Sequence, residues 1–237
     1  MRLPEQTNIY GYLQRPSLVD FPGHIAAVLF TTGCNFSCGY CHNAPLMGKR
    51  EAGLTSDELT RAVIRFKQHD WIDGVTISGG EPTLVEHLPA LVMWLKEQGL
   101  KVKLDTNGSN PDMLETLLDT LDYVAMDIKC ALSSYPEFVS YHHTDRIERS
   151  AALLKTWDKP YEFRTTILDS FHTDEQMRGI GELIRGAYQY TLQPFVPRDN
   201  LPDPAMRTMK RTSPDLLQQF AKDMQPYADK VVIKGRQ

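Results

Sequence analysis

Apolar runs rich in β-branched residues alternate along this chain with segments of helical periodicity. Six runs have the length and composition of strands: IAAVLF (25–30), GVTIS (74–78), KVKLDT (101–106), YVAMDI (123–128), YEFRTTI (161–167) and YQYTLQPF (188–195). Between them, TSDELTRAVIRFKQ brings Leu59, Val63 and Phe66 to one helical face, and HLPALVMWLKEQG runs into Gly99, a C-cap residue. Thr55 or Ser56, ahead of Asp57 and Glu58, supplies N-cap chemistry, and Asn110 before Pro111 opens the next helix in the same way. Strands alternating with helices predict parallel pairing through right-handed crossovers, and strands that are apolar almost throughout predict a sheet covered on both faces. The expected fold class is therefore α/β. PFVPRDNLPDPAMRT (194–208) reads as a long ordered loop stiffened by proline, and a helix near 213–224 with a short strand, KVVIK, closes the chain.

Length and composition narrow this picture. The 237 residues suit one α/β barrel, and no internal repeat or composition break divides them, so a single domain over 1–237 is expected. No apolar run approaches the roughly 20 residues of a membrane helix. The opening MRLPEQTNIYGYLQ lacks the apolar core of a signal peptide, which predicts a cytoplasmic, reducing setting in which thiols stay available to metals. With 26 basic against 30 acidic residues the net charge is −4, and without a long basic run a nucleic-acid partner is not expected.

The polar motifs sit where the strands end. CNFSCGYCHN follows the first strand, SGGEP (78–82) ends the second, DTNG (105–108) the third and DIK (127–129) the fourth. In parallel α/β architectures these carboxyl ends are where ligands bind. Cys34, Cys38 and Cys41 are three thiolates within eight residues, whereas a structural zinc site wants four ligands. Three ligands on a four-iron cluster leave one iron open. The rival readings are zinc completed by His42, whose position next to Cys41 rarely allows both to reach one tetrahedral ion, and a redox pair of Cys38 and Cys41, which leaves Cys34 without a role. Cys130 reads as a partly buried thiol, and His142 with His143 as loop residues. Tyr10, Tyr12 and Met93 read as packing.

CxxxCxxC after the first strand, an aromatic Tyr40 before the last cysteine, and GGEP after the second strand resemble the radical S-adenosylmethionine (SAM) superfamily. SLVDFPGHIAAVLFTTGCNFSCGYCHN, ISGGEPT, KVKLDTNGSNP and YVAMDIK resemble more narrowly the activating enzymes of glycyl-radical proteins, above all those of anaerobic ribonucleoside-triphosphate reductase. The likeness spans about residues 9–200, with a C-terminal helix and strand over about 209–237. It implies an incomplete (β/α)6 TIM-like barrel with the cofactors at the C-terminal strand ends. It also implies a [4Fe–4S] cluster on Cys34, Cys38 and Cys41, reductive cleavage of SAM to a 5′-deoxyadenosyl radical, and hydrogen abstraction from a glycine of a partner, with flavodoxin or ferredoxin as electron donor. By resemblance, Tyr40, Gly79, Gly80, Glu81, Asp105, Thr106, Asn107, Asp127, Lys129, Arg164 and Gln193 form the SAM site, and some relatives place a monovalent cation beside such acids.

Each assignment has a structural rival. GGEP also suits a turn, Glu81 could order its loop, Asp and Asn cap helices, and Asn107-Gly108 suits a tight turn. Arg164 lies inside an apolar strand, where an unpaired guanidinium is costly. Its partner is expected to be either the SAM carboxylate or a barrel acid. With four cysteines there is no sign of a second, ferredoxin-like cluster insert, which favours the ribonucleotide reductase or pyruvate formate-lyase type. Two other classes of function stay open on these residues. One is a radical SAM enzyme acting on a small molecule, as in the carboxy-deazaguanine synthase group. The other is a non-catalytic iron–sulfur or zinc protein.

Overall fold

The alternation read from the sequence becomes eight strands and eight α-helices among the described residues of the computed structural model, which are 3, 5, 7–48 and 53–235. They divide into two units, one formed from within 1–35, 45–106 and 112–124, the other from within 36–44, 107–111 and 125–237.

In the first unit β1 (Ile9–Tyr12), β2 (Ala26–Thr31), β3 (Gly74–Gly79) and β4 (Lys101–Thr106) lie side by side in chain order. The β2–β3 and β3–β4 pairs are parallel, as expected, whereas β1 runs antiparallel to β2. Strand β1 is an addition to the sequence reading, for a physical reason: only Ile9 of its four residues is buried, so it presents no apolar run. Helix α1 (Ser56–Gln68) follows β2, and α2 (Leu88–Glu97) follows β3. Thr55, rather than Ser56, caps α1. Its hydroxyl accepts the Glu58 N–H at 3.3 Å, and the Glu58 carboxylate accepts the Thr55 N–H at 2.8 Å. The helix then buries Leu59, Ala62, Val63 and Phe66, of which the leucine, valine and phenylalanine side chains each contribute about 1.5–3 kcal/mol. Helix α2 buries Leu88, Leu91, Val92 and Leu95 and packs on β4. It ends before Gly99, whose φ of +76° is the left-handed turn that glycine makes without steric cost. Helix α3 (Pro111–Leu117) begins after Asn110, at the predicted proline.

Strand β5 (Tyr123–Asp127) leads from the first unit into the second. The second unit contains α4 (Tyr135–Val139), α5 (Thr144–Thr156), β6 (Tyr161–Ile167), α6 (Asp174–Ile184), β7 (Ala187–Pro194), α7 (Pro204–Arg207), α8 (Pro214–Asp223) and β8 (Ala228–Ile233). Its strands β6, β7 and β8 pair in parallel and in that order. Helix α8 packs on β7 and β8, and α5 on α6. The proline-rich stretch expected as loop holds one helical turn, α7. Asp203 caps it by accepting the Ala205 N–H at 2.8 Å, and Pro204 has its φ already set for the first helical position. No helix among the described residues is long and apolar enough to cross a membrane.

Candidate functional site

In the first unit the loop after β3 is fastened to the segment that leads into the cysteine motif. Gly80 N–H donates to the Thr31 carbonyl at 3.0 Å and Glu81 N–H to the Gly33 carbonyl at 2.8 Å, while Cys34 N–H donates to the Met47 carbonyl at 3.0 Å. The approach is close enough to require glycine. A Cβ on Gly80 would stand 2.1 Å from the Gly33 oxygen, and Gly79 has φ of +123°. Glu81 is 1% exposed, and its Oε1 accepts from the Thr83 N–H at 3.0 Å, the Thr83 hydroxyl at 2.5 Å and the Thr106 hydroxyl at 2.7 Å. Glu81 therefore orders the turn after β3 and ties it to the end of β4, and Thr106 joins it there. Asp105 pairs with the ammonium of Lys103, a fully buried lysine that sequence reading passed over. The signal was present in KVKLDT, where Lys103 and Asp105 fall on one face of a strand by its period of two.

In the second unit Asp127, Lys129 and Arg164 come together. Asp127 Oδ1 accepts from Arg164 Nε at 2.8 Å and Oδ2 from Lys129 Nζ at 2.9 Å. Burial raises the carboxyl pKa, but the two cations outweigh it and hold the acid well below its ordinary range. Desolvation pulls the half-buried Lys129 down, but Asp127 outweighs it and holds the ammonium above its ordinary value. Of the two partners expected for Arg164, the internal acid is the one observed. The Lys129 backbone is braced as well. Its N–H donates to the Tyr135 hydroxyl at 3.0 Å, and its carbonyl accepts from His172 Nε2 at 3.1 Å. Nδ1 of His172 accepts the Leu168 N–H at 3.0 Å, which fixes the tautomer with the proton on Nε2. No motif pointed to Tyr135 or His172, because each acts on the Lys129 backbone from outside the strand-end motifs, six and 43 residues away. Asn107 Oδ1 accepts the Ser109 N–H at 2.9 Å, an Asx turn, and Gln193 lies near the end of β7, half-buried, opposite Thr166 of β6.

Cys38 and Cys41 share a tight turn, Cys41 N–H donating to the Cys38 carbonyl at 3.1 Å. Burial pushes the Cys38 thiol up to about 11, against the pull of the Lys129 ammonium, and raises Cys41 as well. Tyr40, between them, is 6% exposed. Its ring stacks on Phe138 at 5.4 Å, Phe138 stacks on Phe171 at 3.7 Å, and Lys129 Nζ lies 6.0 Å from the Tyr40 ring centre. His42 Nε2 donates to the Val196 carbonyl at 2.8 Å. Cys130 is fully buried, its thiol pushed up to about 12 mainly by burial, and none of the four cysteines is in a disulfide. Among the described residues no set of three or more His, Cys, Asp or Glu side chains is gathered as metal ligands, so the case for a metal centre rests on donor type and spacing.

Residues 28–184 match the family model described as the radical SAM superfamily. The chain is 32% identical over 228 residues, 92% of each chain, to MJ1227 of Methanocaldococcus jannaschii, a protein whose name places it among glycyl-radical enzyme activating enzymes. It is 33% identical over 181 residues, 70% of this chain and 68% of the relative, to the pyruvate formate-lyase-activating enzyme of Streptococcus mutans. Among solved structures it superposes on Streptococcus suis SuiB bound to S-adenosylmethionine with a TM-score of 0.65 at 15% identity, covering 86% of this chain and 48% of that one. A domain of the pyruvate-formate lyase-activating enzyme from Bacteroides vulgatus gives 0.55 at 19% identity, covering 68% and 99%. These structures share the α/β fold class that the strand–helix alternation predicts and, as the resemblance implies, are radical SAM-type folds. The chain belongs to the radical SAM superfamily and, within it, to the glycyl-radical enzyme activating enzymes.

Proposed function

We propose that this protein activates an anaerobic ribonucleotide reductase by abstracting hydrogen from one of its glycines. Enzymes of this type use a [4Fe–4S] cluster and SAM and act on a glycyl-radical protein. A [4Fe–4S] cluster held by Cys34, Cys38 and Cys41 would supply the one-electron reduction that splits SAM into methionine and a 5′-deoxyadenosyl group able to take hydrogen from the partner. The residues present suit this pair of cofactors. Three thiols spaced within eight residues match a cluster with one open iron, and the buried Tyr40 hydroxyl has no hydrogen-bond partner.

In this reading Cys34, Cys38 and Cys41 hold iron. Gly79 and Gly80 leave backbone accessible to an ammonium group, and Glu81 keeps that backbone in place. Lys129 and Arg164 present positive charge to a carboxylate. Asp127 orients both and keeps them protonated, and His172 with Tyr135 fixes the backbone from which Lys129 extends. Asp105, Thr106, Asn107, Tyr40 and Gln193 complete the SAM contacts. The protein's own contribution is geometric: it orients the sulfonium toward the cluster and keeps water away.

The observation that carries the proposal is the 32% identity over 92% of both chains to a glycyl-radical activating enzyme, together with only four cysteines, which suits one cluster. The pyruvate formate-lyase-activating enzymes among the relatives supply the alternative partner. The test is to reconstitute the protein anaerobically, reduce it with flavodoxin or a chemical donor in the presence of SAM, and add either reductase or pyruvate formate-lyase. A glycyl doublet in the spin-resonance spectrum of the reductase alone is expected. A doublet only on pyruvate formate-lyase would reassign the partner, and SAM cleavage coupled to a small molecule with neither protein would overturn the proposal.

A further inference from the structure

We propose that the loop of residues 196–211 is a clamp that sets the Cys38–Cys41 turn in place before any metal arrives and slows the loss of iron afterwards, with Met206 and His42 as its positioning residues. The effect on iron rests on the cysteine assignment above, whereas the setting of the turn does not. Ser37–His42 is a short stretch containing a glycine, and by itself such a segment would sample many conformations. In the folded chain each of its residues other than the cysteines is held from outside. Ser37 N–H donates to the Val139 carbonyl at 2.9 Å, and the Tyr40 ring stacks on Phe138 at 5.4 Å. The other two anchors come from the proline-rich loop: Asp203 N–H donates to the Gly39 carbonyl at 3.1 Å, and His42 Nε2 donates to the Val196 carbonyl at 2.8 Å.

The loop can act as a clamp because it is itself fixed. Its base is closed by Thr212, 2% exposed, whose N–H donates to the Phe195 carbonyl at 3.1 Å and whose hydroxyl accepts the Phe195 N–H at 2.7 Å. Inside the loop Leu201 is fully buried, and its carbonyl accepts from Arg207 Nε at 2.8 Å. A compact surface loop with joined ends and its own buried side chain is an Ω-loop, a form frequently used in function. Its fit on the cysteine turn is close. A Cβ on Gly39 would stand 3.0 Å from Asp203 Cβ and 3.3 Å from Met206 Sδ, so glycine lets the two segments approach and Met206 covers the space that remains. Holding a binding loop in its bound form lowers the ordering cost of binding. With Cys38 8% exposed, release of iron requires the turn to open, and opening breaks the Asp203–Gly39 and His42–Val196 hydrogen bonds.

Two measurements test the clamp in wild type, Met206→Ala and Met206→Leu, the last of which keeps a large apolar side chain over Gly39. Met206 is half-buried, so its truncation should leave the urea midpoint nearly unchanged. In the metal-free protein, hydrogen exchange of the amides of 37–42 is expected to be about tenfold faster in Met206→Ala and restored in Met206→Leu. In the anaerobically reconstituted protein without SAM, transfer of iron to a ferrous chelator should quicken by a similar factor in Met206→Ala and in His42→Leu, while His42→Gln, which keeps a donor, should stay near wild type. Exchange and iron release that match wild type in Met206→Ala overturn the proposal. Faster exchange spread over the whole chain, with a lower urea midpoint, overturns it as well, because that is general destabilisation. Wild type that loads no iron sinks the cysteine assignment and the effect on iron, and the exchange measurement then decides whether the turn is set by the loop.

Discussion

His172 is a buried histidine that must stay neutral, and its removal or protonation should show as a defined loss of stability. It is 2% exposed, accepts the Leu168 N–H on Nδ1 and donates from Nε2 to the Lys129 carbonyl. Burial is the dominant effect on its pKa, which falls from 6.5 to about 4, and the two backbone hydrogen bonds only partly oppose it. Because the folded pKa lies below the unfolded one, the unfolded chain binds the extra proton between pH 6.5 and 4. The neutral ring therefore stabilises the fold fully above pH 6.5, and that contribution is lost as the pH falls toward 4. At about 1.4 kcal/mol per pH unit the total is about 3 kcal/mol, of which about 2 kcal/mol is gone by pH 5. Urea unfolding of the metal-free protein at pH 7 and pH 5, in wild type and in His172→Gln, isolates this contribution as a double difference from which other titrating groups cancel. Glutamine retains a donor and an acceptor but does not titrate, so the variant should be less sensitive to that pH change by about 2 kcal/mol. Equal pH dependence in the two proteins would refute the reasoning, and so would a protonated His172 ring seen by nitrogen NMR at pH 6.

Three other outcomes follow from named contacts. Gly80→Ala drives a Cβ against the Gly33 and Leu46 carbonyls, backbone that has little room to yield, so the variant should lose SAM binding in equilibrium dialysis and unfold at lower urea. Retained SAM affinity would show that this backbone does not approach the ligand. Arg164→Met leaves the half-buried Asp127 with Lys129 alone, and stability measured by urea unfolding should fall by about 2 kcal/mol; a change under about 1 kcal/mol would mean that the ion pair is dispensable. Cys38→Ala should keep its circular dichroism spectrum yet lose iron and SAM cleavage together, and retention of either contradicts the ligand assignment.

How much of this was legible in the sequence depended on whether a residue's partner was near in the chain. The parallel strands were legible because burial on both faces makes them continuous apolar runs: AAVLFT of β2 has five buried residues of six, and its predicted span was off by one position. Strand β1 was not, since an edge strand with one buried residue has no pattern to offer. The cap of α1 was legible to within one residue because a capping box is a local device, three residues wide. The site divides along the same line. Motif chemistry at strand ends picked out Glu81, Thr106, Asp127 and Lys129, and a charge inside an apolar strand picked out Arg164, but not which of them pair. Thr106, Arg164 and His172 lie 25, 37 and 43 residues from Glu81, Asp127 and Lys129 and are joined to them only by the folded chain, and His172 had no signal at all.

Arg164 shows the limit most clearly. A guanidinium inside an apolar strand implies a carboxylate, but nothing in YEFRTTI distinguishes a ligand's carboxylate from one on a neighbouring strand. Lying 2.8 Å from Asp127 Oδ1, it has found an acid within the protein, and its task toward any ligand must be carried out while it also holds that acid. Asp127 then serves two cations at once. A negative ligand arriving at Lys129 and Arg164 therefore meets a site whose charge is already partly balanced. Removing Asp127 should tighten binding of a simple anion even as it loosens the placement that catalysis requires.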